Sequence, residues 1–165
     1  MIVSDIMTRE VVSISPDARL EDVVRLMIDR KISGLPVVEK DGAVVGMITE
    51  GDLLRRAEIG TEGKSPGWFE MFFLPGTSAY DYVRTHGRKV EMLMTGNAVT
   101  ISPQATLVSA VKIMRDRHVK RLPVVDADRL VGIISRADVM KTLIAALGPS
   151  APLSDGESKK RLDAE

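Results

Sequence analysis

Two short runs in this chain place a hydroxyl three residues before a carboxylate: Thr49-Glu50-Gly51-Asp52 and Ser135-Arg136-Ala137-Asp138. Such a pair can do two kinds of work. As a helix cap, the hydroxyl accepts from a first-turn N–H while the acid reaches back to the N–H of the capping residue. As a binding motif, a helix start offers N–H groups and the positive end of its dipole to a phosphate. An ionised carboxylate, which only accepts hydrogen bonds, can take two of them from a vicinal diol. The two uses are compatible.

Other chemistries lack their residues. Without cysteine there are no disulfides and no thiolate zinc or redox sites. His86 and His118 are the only histidines, and no His/Asp/Glu cluster at metal-ligand spacing accompanies them, so no transition-metal site is expected. There is no nucleophile elbow and no Walker loop; Gly60-Thr61-Glu62-Gly63-Lys64-Ser65 resembles the end of a phosphate loop, but no strand precedes it. Met27 and Met114 sit at apolar helix positions and read as core.

The elements that must position the motifs come twice. Met7-Thr8 recurs as Met94-Thr95, Ser15-Pro16 as Ser102-Pro103, and Leu35-Pro36-Val37-Val38 as Leu122-Pro123-Val124-Val125, each 87 positions on. At that shift residues 3–38 and 90–125 agree at 17 of 36 positions. The register then slips by one, because the Asp41-Gly42 turn is longer, and resumes with Gly46/Gly132, Thr49/Ser135 and Asp52/Asp138. The period exceeds the roughly 20–50 residues of a solenoid unit. It reads as a duplicated small domain with a pseudo-symmetric cleft between the copies.

Within one copy, residues 11–14 form a β-branched run that can make a strand. Ser15-Pro16 predicts a helix start, serine as cap and proline at the first helical position. Leu20, Val23, Val24, Met27 and Ile28 then follow at helical spacing. Pro36 leads into a second strand, Asp41-Gly42 signals a two-residue hairpin, and residues 43–48 form a third strand before a helix carrying Leu53 and Leu54. The order is β-α-β-β-α. The second copy repeats it with residues 99–101, a helix bearing Leu107, Val111 and Met114, strands at 123–125 and 130–134, and a helix after Ser135. One copy alone would be marginal. Two copies packed through their sheets would not be.

Composition bounds the function. Lys+Arg and Asp+Glu are both 23, which argues against the broad basic face of a nucleic-acid coat. Charge is unevenly distributed, however: residues 111–141 hold eight cations and four acids, residues 24–55 five of each, so a local anion site belongs in the second half. No apolar run approaches the roughly 18–20 residues of a membrane span, and no basic-then-apolar signal opens the chain, so a cytoplasmic address is expected.

Taken together, the twice-repeated Met-Thr, Ser-Pro, helix, Leu-Pro-Val-Val and Gly-x-x-Thr/Ser-x-x-Asp resemble paired cystathionine-β-synthase (CBS) domains, the Bateman module, over about residues 1–56 and 88–145. The resemblance implies an α/β fold of two pseudo-symmetric repeats and a regulatory module that dimerises. It also implies a ligand containing adenosine, such as AMP, ATP, NAD or S-adenosylmethionine, bound between the halves. It places the ribose on Asp52 and Asp138, and the ribose or phosphate on Thr49 and Ser135. The loops before the second strands, Lys31-Ile32-Ser33-Gly34 and His118-Val119-Lys120-Arg121, would lie near adenine and phosphates, bringing in Ser33, Gly34, Pro36 and Pro123. With three cationic or protonatable residues in that second loop and Arg136 close by, two unequal sites are expected. The more anionic moiety would sit near His118, Lys120, Arg121 and Arg136.

The chain then divides into repeat 1 (1–56), an insert (57–87), repeat 2 (88–147) and a tail (148–165) expected to be disordered. Every aromatic residue, Trp68, Phe69, Phe72, Phe73, Tyr80 and Tyr82, falls in the insert, which reads as a lid on the module's flank or as an interface. A non-catalytic sensor that is a homodimer and signals to an effector protein is the expectation. The rivals are a nucleic-acid binder using the basic second repeat and a nucleotide-processing enzyme; the first lacks aromatics beside its cations and the second an activated nucleophile or metal cage.

Overall fold

A computed structural model describes residues 1–53 and 89–148; Leu54, the aromatic insert and the tail beyond Gly148 lie outside the described residues. The first repeat contains helix α1 (Leu20–Arg30), strands β1 (Gly34–Val38) and β2 (Val44–Thr49), and a helix that starts at Glu50. The second contains the short strand β3 (Thr95–Gly96), helix α2 (Leu107–Asp116), strands β4 (Arg121–Asp126) and β5 (Arg129–Ser135), and helix α3 (Arg136–Leu147). The strands form a three-stranded sheet, β1-β2-β3, and a two-stranded one, β4-β5. No helix among the described residues is long and apolar enough to cross a membrane.

The helices follow the apolar spacing, with two corrections. Leu20, Val23 and Met27 are buried, but Ile28, expected inside, is 69% exposed, because it falls at the edge of the stripe. Val111 is likewise exposed, and Ala110 and Met114 carry that face of α2. The helix starts also move. Ser15-Pro16 forms a turn, with Ser15 Oγ accepting from the Asp17 N–H at 3.3 Å, and α1 begins four residues later. Thr106, not Ser102, caps α2, its Oγ1 accepting from the Ser109 N–H at 3.1 Å. The carbonyls of Pro16 and Ala18 are needed elsewhere: they accept from Glu91 (3.0 Å) and Val90 (2.9 Å) of the other repeat. Those of Pro103 and Ala105 accept from Ser4 and Val3 in the same way. A helix begun at proline would have consumed them.

Both helices end alike. The N–H of Ile32 reaches Met27 O and that of Lys31 reaches Ile28 O; Val119 and His118 repeat the pattern on Met114 and Arg115. This is the Schellman ending, and Lys31 (φ 53°) and His118 (φ 54°) fill the left-handed position usually given to glycine. The hairpins differ. Gly42 (φ 93°) closes a three-residue loop, Lys40 to Gly42, between Glu39 and Ala43, longer than the two-residue turn expected. Ala127 and Asp128, both at positive φ, make a two-residue turn between paired Asp126 and Arg129. That difference is the one-residue slip between the copies.

The strands predicted at 11–14 and 99–101 shrink to single parallel bridges, Ile14 to Val37 and Ile101 to Val124. The cause is the proline of each Leu-Pro-Val-Val. Ile14 N–H donates to Pro36 O and Val38 N–H to Ile14 O, so the edge of β1 facing this segment includes the Pro36 nitrogen, which has no proton to extend the ladder. Pro123 does the same beside Ile101.

The repeats exchange their start segments. Thr8 pairs with Ile133 in β5, while Thr95 in β3 pairs with Met47 in β2. Val3 and Met7 are consequently buried in the core of repeat 2, with Met114, Leu122, Val124 and Ile134. Val90 is buried in the core of repeat 1, with Leu93 and Met94 packed on it. Gly46 and Gly132 permit the exchange: a Cβ on Gly46 would stand 2.8 Å from Thr95 O, and one on Gly132 3.2 Å from Thr8 O. Lys89 adds an ion pair with Asp17 across the same contact, at 2.7 Å.

Two predictions follow from the exchange. Gly46→Ala drives a methyl into a backbone carbonyl and should cost about 1–3 kcal/mol in denaturant unfolding, whereas Gly96→Ala, which meets nothing within 4 Å, should cost under about 1 kcal/mol. The hydrogen bond to Lys89, then its charge, holds the Asp17 carboxyl below its ordinary range, and the same bond raises Lys89. The depressed acid stabilises above the ordinary carboxylate pKa, and this is lost as pH falls through the folded value. The raised lysine stabilises below the ordinary lysine pKa, and this is lost as pH rises through the folded value. Lys89→Gln should therefore lower the melting temperature slightly between about pH 5 and 9, and the difference should vanish in acid.

Candidate functional site

Strand register assembles the residues that could bind. Gly34 lies opposite Thr49 across β1-β2, and Arg121 opposite Ser135 across β4-β5. Backbone bonds tie each loop to the following helix: Glu50 N–H donates to Ser33 O at 3.2 Å, and Arg136 N–H to Lys120 O at 2.9 Å. The loop and the hydroxyl-acid motif thus form one end of each hairpin.

Both motifs are helix caps. Asp52 Oδ2 accepts from Thr49 N–H at 2.8 Å and from its hydroxyl at 2.7 Å. Asp138 Oδ2 accepts from Ser135 N–H at 2.9 Å and from its hydroxyl at 2.6 Å. Each acid is partly buried, and the cap bonds use Oδ2, which leaves the second oxygen, Oδ1. That oxygen accepts from Thr95 Oγ1 at 3.2 Å on Asp52; on Asp138 its one polar neighbour among the described residues is Lys141 Nζ, at 3.9 Å.

One member of the cationic group expected in the second half lies elsewhere. Arg121 crosses to the first repeat, where its guanidinium lies over Gly34 and donates to Ser33 Oγ at 2.6 Å. A Cβ at Gly34 would collide with that group. Burial pulls the Arg121 pKa below its usual value, and the negative charge of Glu50 opposes the shift. Arg136 turns back to donate to Met114 O at 3.3 Å, at the end of α2. His118 and Lys120 are exposed, and the backbone of His118 ends α2. Pro36 and Pro123 are fully buried in their strands. The structure therefore unites Ser33, Gly34, Thr49, Asp52 and Arg121 at one site, and Ser135 and Asp138 at the other. No group of three His, Cys, Asp or Glu among the described residues could hold a metal ion.

One contributor was missed from the sequence. Thr95 reaches Asp52, 43 residues away, and its signal was the repeated Met-Thr, whose pairing with the opposite copy no local pattern reveals.

Two α/β repeats related by duplication, joined through exchanged start segments and each ending in a capped hydroxyl-acid motif, define a tandem-repeat binding module. The profile of the CBS domain matches residues 3–58 and again 90–145, and the chain belongs to that family. An uncharacterised protein of Methanocaldococcus jannaschii, MJ1426, is 35% identical, the alignment covering 87% of this chain and 92% of that one. A CBS domain-containing protein of Dictyostelium discoideum is 33% identical over 93% and 99%. Among solved structures, that of CBSX2 in complex with AMP superimposes with a TM-score of 0.68 and 26% identity, covering 88% of this chain and 98% of the other.

Proposed function

We propose that the chain is a non-catalytic sensor module that binds an adenosine-containing ligand of the AMP, ATP, NAD or S-adenosylmethionine class, with the ribose on Asp138. The observation that carries this is the half-used carboxylate: Asp138 Oδ2 is committed to the cap, and Oδ1 has no hydrogen bond among the described residues. A vicinal diol supplies the donors that oxygen lacks. The similarity to CBSX2, whose structure holds AMP, supports the choice of ligand class. The hydroxyls of Thr49 and Ser135 donate to carboxylates committed to capping, which favours binding over nucleophilic chemistry. Arg121 and Arg136 are turned to partners within the chain instead of lining a continuous basic groove, which favours a small ligand over nucleic acid.

The module's output goes to a partner protein, and the module itself pairs with a second copy. Helices α2 and α3 lie side by side and leave Val108, Met140, Ile144 and Leu147 more than half exposed, an apolar face suited to such pairing.

Asp138→Asn tests the ligand site, because an amide keeps an acceptor for the cap and loses the second one. A ligand at 100 times its dissociation constant adds about 2.7 kcal/mol, a thermal shift of roughly 5–11 °C for a chain of this size. AMP or S-adenosylmethionine should produce such a shift in the wild type. In Asp138→Asn binding should fall by roughly ten- to a hundredfold, with the ligand-free melting temperature little changed. Flat curves across the adenosine series would return the motif to capping alone. For the dimer, Ile144→Glu should raise the dissociation constant at least roughly a hundredfold by light scattering; an unchanged mass would exclude that face.

A further inference from the structure

In both acids Oδ2 accepts from the N–H and hydroxyl of the capping residue, and the Oδ1 atoms meet different partners. Asp52 Oδ1 accepts from the Thr95 hydroxyl, which belongs to the opposite repeat. The counterpart of Thr95 is Thr8, whose backbone takes the equivalent place on β5, yet no hydrogen bond links its hydroxyl to Asp138. The start segments explain the difference. Thr95 continues into Gly96, which pairs with Gly46, and the N–H of Asn97 donates to Val45 O at 3.2 Å, so a short strand pins Thr95 beside Asp52. Thr8 is followed by Arg9, which turns back to Ser4 O at 3.0 Å, and its pairing stops at one bridge. The Asp52 half also receives the Arg121 guanidinium on Ser33, whereas the residue equivalent to Arg121 in the first repeat is Gly34, which has no side chain to offer the Asp138 half.

We propose that Thr95 is an internal occupant of the Asp52 site. Its hydroxyl donates to the carboxylate oxygen that a ribose hydroxyl would otherwise use, so the two halves bind unequally, the Asp138 half filling first. Thr95 is the specificity-determining residue that sets the difference. A ligand entering the Asp52 half must exchange one hydrogen bond for another and gains little, whereas at Asp138 it satisfies an acceptor that had none. This rests on the adenosine-binding role proposed above.

The test is isothermal titration of the full chain with AMP and with S-adenosylmethionine. Asp138→Asn is expected to remove the tighter binding event, and Asp52→Asn to leave it within about twofold. Thr95→Val keeps the strand and deletes only the hydroxyl. Placed in the Asp138→Asn background, it should strengthen the residual event roughly two- to tenfold, or bring one into range where none was measurable. A merely structural role for Thr95 would lower the ligand-free melting temperature and leave that affinity unmoved, which would overturn the proposal. So would loss of the tighter event in Asp52→Asn, or weaker residual binding in Thr95→Val. Two equal sites in the wild type would overturn it while leaving the ligand class intact; no binding of either compound by the wild type would remove both.

Discussion

The approach of one repeat's start segment to a glycine in the other repeat's second strand is the contact on which the rest of the structure depends. At Gly46 and at Gly132 the incoming Met-Thr backbone lies where a side chain would otherwise stand. The methionine and the apolar residues before it then complete the opposite core. Small domains of this size are marginal alone. Each repeat here lends the other its first turn of apolar residues, and the pair becomes one folding unit.

The same exchange accounts for features that look like defects in a single repeat. The Ser-Pro segment stays out of the helix because its carbonyls accept the incoming N–H groups. The first strand stays at one bridge because the proline of Leu-Pro-Val-Val cannot donate along that edge. Both lower local regularity, and both recur at equivalent positions, which marks them as conditions of the duplicated architecture.

Near-symmetry makes the small differences matter. Equivalent residues meet where the hairpins adjoin, so a change in one copy is felt by the other copy's site. Gly34 in place of a second arginine leaves the space that Arg121 fills. A ligand shifts such an assembly only through unequal affinity for its arrangements. Here the start segments pair each repeat with the other, and Thr95 and Arg121 bring groups of the second repeat to Asp52 and Ser33 of the first.

The duplication, the α/β order, the apolar faces of Leu20, Val23, Met27 and Met114, and the capped motifs at Thr49–Asp52 and Ser135–Asp138 were legible in the sequence, because each rests on spacing within a few residues along one element. The helix starts, the shortened first strands and the exposure of Ile28 were not, because hydrogen bonds and packing between segments far apart in the chain override local preference. Charge counting placed Arg121 and Arg136 together, since the family resemblance brings the loop holding one and the motif holding the other to a single site; the structure sends Arg121 across to Ser33 and Arg136 to the end of α2. The sequence by itself thus determined which groups each half could offer a ligand. Only the tertiary structure decided which carboxylate oxygen is already engaged and which arginine serves which half, because both depend on where the opposite repeat's side chains reach.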